Sequence, residues 1–244
     1  MQQLNRIREK LDLLRNIDTK KELPGASIHH YRLNPPLRPD QVDLFETKHR
    51  VQLPGDYVAF LTTLGDGGAG PFHGLRQLET SRICFFDHSG EAEHQYFDLA
   101  RPFPHTEKWN MEAELEKLDA RLEAAYEAGN EQLEEQLFEK KWELISGAEH
   151  DQGRLCMADD GCGIQISLVV NGFEKGNMWT DDRINDGDIH PSDELGNTEK
   201  ISFLNWYELW LDNAIKKMRG IQRSVFLVRS PNEPRKIPDY ISCK

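Results

Sequence analysis

The chain lacks any apolar run near the roughly 18 residues that a membrane-spanning helix requires. Its opening, MQQLNRIREKLDLLRN, is charged throughout and has no apolar core of a secretion signal, so a cytoplasmic protein without membrane contact is expected. Cysteine is scarce. Cys84, Cys156, Cys162 and Cys243 are scattered over 244 residues, which argues against a disulfide scaffold. Cys156 and Cys162 stand further apart than paired zinc ligands do, and no matching histidine pair follows. Positive charge is also short: 30 Lys and Arg face 42 Asp and Glu, a formal charge of −12. With pI near 5.2, the chain is a poor binder of phosphate backbones, which need neutralising, and a good one for a basic partner. No internal repeat is present. At 38% hydrophobic residues, the core is modest for the length.

What is there reads as helices first, then strands, then a closing helix. Leu4, Ile7, Leu11 and Leu14 form a helical stripe over residues 2–16. Residues 23–39, rich in Pro, Asn and His, read as a loop or linker. A short helix is expected over 37–51, with Val42, Phe45 and His49 inward. A second runs from Pro54 to Leu64, with Tyr57, Phe60, Leu61 and Leu64 on one face. Gly65 stops it, and Gly67, Gly68 and Gly70 supply a turn with positive φ. Ile83 to Phe86 reads as a strand.

Residues 107–145 are rich in Ala, Leu, Glu, Gln and Lys, which favour helix. The break at Ala128-Gly129-Asn130 predicts an antiparallel helical hairpin inserted into the main fold, with one bent helix as the alternative. It carries five Lys and Arg against twelve Asp and Glu, net −7. Strands follow at 154–158, 163–170 and 176–180, with Asn171-Gly172 as a hairpin turn. Ser202 is the expected cap of a last helix, whose core face is Leu204, Tyr207, Leu211, Ile215 and Met218. Gly220 is expected to end it, and Val225 to Val228 to form a strand. Residues 215–244 carry eight Lys and Arg against two acids. The order gives an α+β fold: a mainly antiparallel twisted sheet with helices packed on one face. The expected divisions are an N-terminal helix and linker (1–36), an α+β domain (37–220) containing the insertion, and a basic C-terminal strand or tail (221–244).

Three segments together resemble one family in order and spacing. They are LPGDYVAFLTTLGDGGAGPFHGLRQL (53–78), GCGIQISLVVNGFEKGNMWTDD (161–182) and SFLNWYELWLDNAI (202–215). The chain is similar over roughly residues 37–218 to the SUKH superfamily, which includes bacterial immunity proteins and fungal cell-wall-assembly regulators. The resemblance implies an α+β fold and a non-enzymatic binding role, with a toxin, often a nuclease, as the partner of bacterial members. It supplies no catalytic residues.

No constellation reads as catalytic, and neither a cofactor nor a metal site is expected. The GDGGAG run at 65–70 follows a helix and has no lysine, the reverse of a phosphate loop. The loop DDRINDGDIHPSDE (181–194) fails the calcium-hand pattern, since Ile184 falls on a ligand position. Ser27, His29 and His30 are neighbours in sequence only. His73, His88, His94, His105, His150 and His190 are dispersed and read as loop or surface residues. The candidate contact residues for a basic protein toxin are Trp179 as an aromatic anchor, with Asp181, Asp182, Asp186 and Asp188 around it. A regulatory scaffold binding an endogenous protein through the 107–145 hairpin is the alternative. A metal-assisted hydrolase using the 181–194 carboxylates is a weaker one.

Overall fold

The computed structural model describes residues 2–84 and 95–227. Helices α1 (Gln2–Ile17), α2 (Ala26–His29), α3 (Pro39–His49) and α4 (Gly55–Thr63) come first. A two-stranded ladder, β1 (Ile83–Cys84) and β2 (Gln95–Tyr96), precedes the hairpin helices α5 (Glu112–Glu127) and α6 (Glu131–Ile145). Strands β3 (Arg154–Gly161), β4 (Ile164–Val169), β5 (Met178–Asp181) and β6 (Ile189–Pro191) make an antiparallel sheet in sequential order. Helix α7 (Phe203–Leu227) closes the described chain. The fold is α+β.

The main core forms where local periodicity directs it. Leu4, Ile7, Leu11 and Leu14 are buried along α1, as are Tyr57, Phe60 and Leu61 on α4. Leu204, Tyr207, Leu211, Ile215 and Met218 are buried along α7. Both α1 and α4 lie against α7. Phe60 sits edge-on to Phe203 and Tyr207 at centroid distances of 5.2 and 4.9 Å. Ile166, Leu168 and Met178 join this cluster from the sheet. Helix α1 and the buried Leu23, Ala26 and Tyr31 belong to the same core.

The glycine turn is a crossing point. Gly68 bridges to Leu33 on one side and Leu75 on the other. Its φ is +103°, and a Cβ there would come 2.5 Å from the Arg32 carbonyl. Gly70 does not have the expected positive φ; it is needed because a Cβ would lie 2.6 Å from the Leu75 amide. Tyr207 on α7 donates to the Ala69 carbonyl (2.6 Å), fixing the crossing to the core.

Other expectations are corrected. The N–H of Leu204, in the first turn of α7, is taken by the Asp56 carboxylate of α4 (3.2 Å). Ser202 does stand at the cap position expected of it, where its carbonyl accepts the Trp206 N–H (2.8 Å). Gly220 does not end α7, which continues to Leu227, so residues 225–227 are helical and no strand forms there. Nothing lies within 4 Å of a Cβ at Gly220, so the residue costs the helix only its propensity, about 1 kcal/mol. Phe85, Phe86 and Val228 lie outside the described residues. The Asn171-Gly172 turn joins β4 to β5 by a longer loop than two residues, with Asn171 bonded to the Leu99 and Ala100 carbonyls.

Residues 112–145 form the expected antiparallel hairpin, α5 against α6. Leu118, Ala125 and Leu137 are its buried seam, with Leu122, Leu133 and Leu144 packed on it. Its root covers the second face of the sheet. There Phe103 and the half-buried Trp109 pack on Val169, Trp179 and Ile189. Trp109 and Ile189 exchange both backbone hydrogen bonds at 2.8 Å.

Candidate functional site

Strand alternation decides the fate of the candidate contact residues. Ser167 pairs with Trp179, and Gln165 with Asp181, so their side chains share the sheet face opposite Leu168 and Met178. The hairpin root covers that face. Trp179 is 0% exposed, and its indole Nε1 has no hydrogen-bond partner. Asp181 is 2% exposed. Neither residue presents a surface to a partner, and both are corrected from contact residues to interior ones.

Asp181 belongs to a buried network of two arginines and two aspartates. The Arg154 Nη2 donates to Asp151 Oδ1 (2.5 Å) and Asp181 Oδ2 (2.6 Å). The Arg183 Nη2 donates to the same two oxygens at 2.7 and 2.9 Å, and its Nε to Asp181 Oδ1 at 2.9 Å. Arg183 Nη1 also donates to the Ile145 and Gly147 carbonyls, both at 3.2 Å, at the exit of α6. Burial pushes the Asp181 carboxyl up, but the guanidinium groups of Arg154 and Arg183 outweigh it and hold the group well below the carboxylate range. The four charges cancel, so the network ties sheet, hairpin root and loop together without contributing net charge to the surface.

Beside it, His105 and His150 stack with centroids 5.1 Å apart and share one N···N hydrogen bond of 3.0 Å. Trp109 covers His150 at 4.1 Å. Burial is the main cause that pulls each imidazole down to about 4, with His150 and Arg154 adding to it at His105 and Arg183 at His150. Of the expected loop or surface placement, the loop holds for His105 and a short turn carries His150, but both rings are buried. The residues missed were Asp151, Arg154 and Arg183. Their one signal was an arginine opening the otherwise apolar run RLCMA.

The remaining candidates lie on the loop after β5, and each has a partner inside the chain. Asp182 accepts from the Asn185 amide (2.6 Å). Asp186 pairs with Lys141 of α6 (3.0 Å), which also reaches Asp119 of α5 (2.9 Å). Asp188 pairs with Lys108. The structure thus brings Asp186 and Asp188 to the hairpin and keeps Asp182 within the loop. Among the described residues, no group of three or more His, Cys, Asp or Glu is placed to hold a metal ion. No described helix is long and apolar enough to cross a membrane. An apolar cleft of about 170 Å³ lies elsewhere, lined by Tyr31, Phe72 and Trp210.

The outer half of the hairpin is different. Residues 122–139 hold six glutamates and no Lys or Arg. Among the described ion pairs, none involves these glutamates. Tyr126 and Phe138 stand among them at 73% and 63% exposure.

Compared with known proteins, the chain matches no family model, no curated protein and no solved structure.

Proposed function

We propose that the chain is a non-enzymatic protein-binding module of the immunity type, which neutralises a basic protein toxin by direct contact in the cell that makes both. One observation carries the reading. The three segments with the family resemblance, distant in sequence, meet in one packed unit. Helix α4 lies on α7 through Phe60, Phe203 and Tyr207, the glycine crossing is held by Tyr207, and Met178 of the sheet bonds through its N–H to the Ile201 carbonyl (2.9 Å). A resemblance of composition alone would not require those residues to touch. The charge of −12 supports the same reading, since excess negative potential speeds encounter with a basic partner.

Co-expression with the toxin encoded beside it tests the proposal. Growth should be rescued, and the pair should co-purify at low and moderate salt. A locus without a toxin gene, or a pair that fails to associate at either salt, overturns it.

A further inference from the structure

We propose that the outer half of the hairpin, residues 122–139, is the surface that docks the partner, and that the partner surface is a protein face carrying Lys and Arg around an apolar strip. The inference rests on the reading above that the partner is a basic protein, and it names where contact is made.

The root of the hairpin is anchored. Trp109 pairs with Ile189, Arg183 holds the Ile145 and Gly147 carbonyls, Lys141 joins Asp119 to Asp186, and Trp142 packs on the main core. Beyond Lys141 these ties stop. Among the described hydrogen bonds and ion pairs, none links residues 122–139 to the chain outside the hairpin. The outer half stands on its own seam of Leu122, Ala125, Leu133 and Leu137.

Helical spacing sets the direction of the exposed rings. Asp119 and Lys141 mark the side of the hairpin that meets the loop. Tyr126 lies seven residues, or about two turns, beyond Asp119. Phe138 lies three residues before Lys141 and four before Trp142. Both rings therefore continue the same side of the hairpin past the point where the body stops filling it. Glu123 lies three residues before Tyr126, and Glu134 and Glu135 lie four and three before Phe138, so carboxylates flank each ring.

Two exposed aromatic rings, each with an unpaired carboxylate one turn away, match one occupant. Phosphate backbones and anionic lipid surfaces are repelled by six glutamates that make no ion pair among the described residues. A basic protein face gains on both counts: its cations are steered in and paired, and its apolar strip covers the two rings.

The test uses the full chain and a synthetic amphipathic helix of Lys and Leu as the probe, followed by fluorescence anisotropy. Three variants are compared, each checked for parental circular dichroism. They are E123Q/E127Q/E134Q/E135Q, Y126S/F138S, and the loop control D182N/D186N. The charge variant should bind about tenfold more weakly at ~0.1 M salt, a difference that shrinks at ~1 M, where the screening length falls to ~3 Å. The ring variant should lose affinity at both salts, and the loop control should stay within about twofold. Parental binding by the charge and ring variants, or an equal loss in the loop control, overturns the proposal. A second arm repeats the variants in the toxin co-expression. Rescue by the parent and equally by the charge variant sinks the docking surface and leaves the immunity reading standing. Hairpin-dependent peptide binding without rescue by the parent does the opposite.

Discussion

Residues 181–194 and residues 122–139 each carry six carboxylates. In the loop, five of them are hydrogen-bonded or ion-paired within the chain, and Asp193 is exposed. Asp181 is inside the arginine network, Asp182 takes the Asn185 amide, and Asp186 and Asp188 face Lys141 and Lys108. Asp193 lies 3.8 Å from the His190 ring, and Glu194 accepts from Thr180, Ser192 and Trp206. In the outer hairpin, the described structure pairs none of the six. The comparison separates two uses of acidic residues. Where other elements converge on a loop, carboxylates organise the fold. Where a hairpin extends beyond its neighbours, they remain a field directed at solvent.

The largest effect should follow from breaking the loop's network. Arg183→Met leaves Asp151 and Asp181 buried beside Arg154 alone and removes the donors to the Ile145 and Gly147 carbonyls. Removing one partner of a buried ion network costs about 3–5 kcal/mol, so the urea midpoint should fall steeply. A loss below about 1 kcal/mol would mean that the buried carboxylates relax to water, and the loop would then resemble the hairpin after all.

That network also shows what could be read from sequence and what could not. The stripes of α1, α4 and α7 were legible because a helix displays its buried face every three or four residues, within the segment itself. The hairpin and strands β3, β4 and β5 were legible for the same local reason, whereas β2 and β6 were not expected and residues 225–227 are helical rather than extended. The site was not. Alternation along β5 places Trp179 and Asp181 on one face, but nothing in MWTD says whether that face is open. The covering residues, Phe103, His105, Trp109 and His150, come from segments before and after the hairpin. Pairing of Asp181 with Arg154 spans 27 residues across the sheet. Such contacts have no local signature, so acidic residues beside a tryptophan looked like a surface.

Acid should strike the loop side of the comparison next. His105 and His150 are held down to about 4 in the folded chain, against an unfolded value near 6.5. Between those values the unfolded chain binds more protons, so stability is full above pH ~6.5 and falls as pH drops toward 4. The buried pair titrates as a unit, and urea unfolding at several pH values reports it. H105F/H150F, which keeps the stacked rings and removes both protonation sites, should flatten this slope. An unchanged slope would assign the acid response to other groups.

A smaller effect is expected at the seam between the two regions. Lys141 bridges hairpin and loop, between Asp119 and Asp186. Its side chain is only 18% exposed, while the two carboxylates are near half exposed. Lys141→Met keeps most of the apolar stem and should cost about 1 kcal/mol or less, with the loss shrinking at high salt. Amide hydrogen exchange should localise it to the hairpin root and residues 182–187. Loss of global stability on the scale of Arg183→Met would place the coupling in Lys141 instead of the arginine network.

The smallest effect sharpens the contrast most, because its sign is opposite. Glu123 and Glu127 lie four apart on α5, so two like charges face each other on one side of the helix. Glu127 is also the last residue of α5, where the negative end of the helix dipole disfavours a carboxylate. Neither has an ion-pair partner among the described residues. Glu123→Gln with Glu127→Gln removes both repulsions and should stabilise the hairpin by about 0.5 kcal/mol, read as slower amide exchange over residues 118–127. The two loop substitutions D182N and D186N remove a hydrogen-bond acceptor's charge and an ion pair, so they should move stability the other way. A hairpin that gains stability when its glutamates are neutralised, while its peptide affinity falls, holds those charges against its own folding for the sake of contact. Equal destabilisation by both pairs would show that the hairpin carboxylates are structural, like those of the loop.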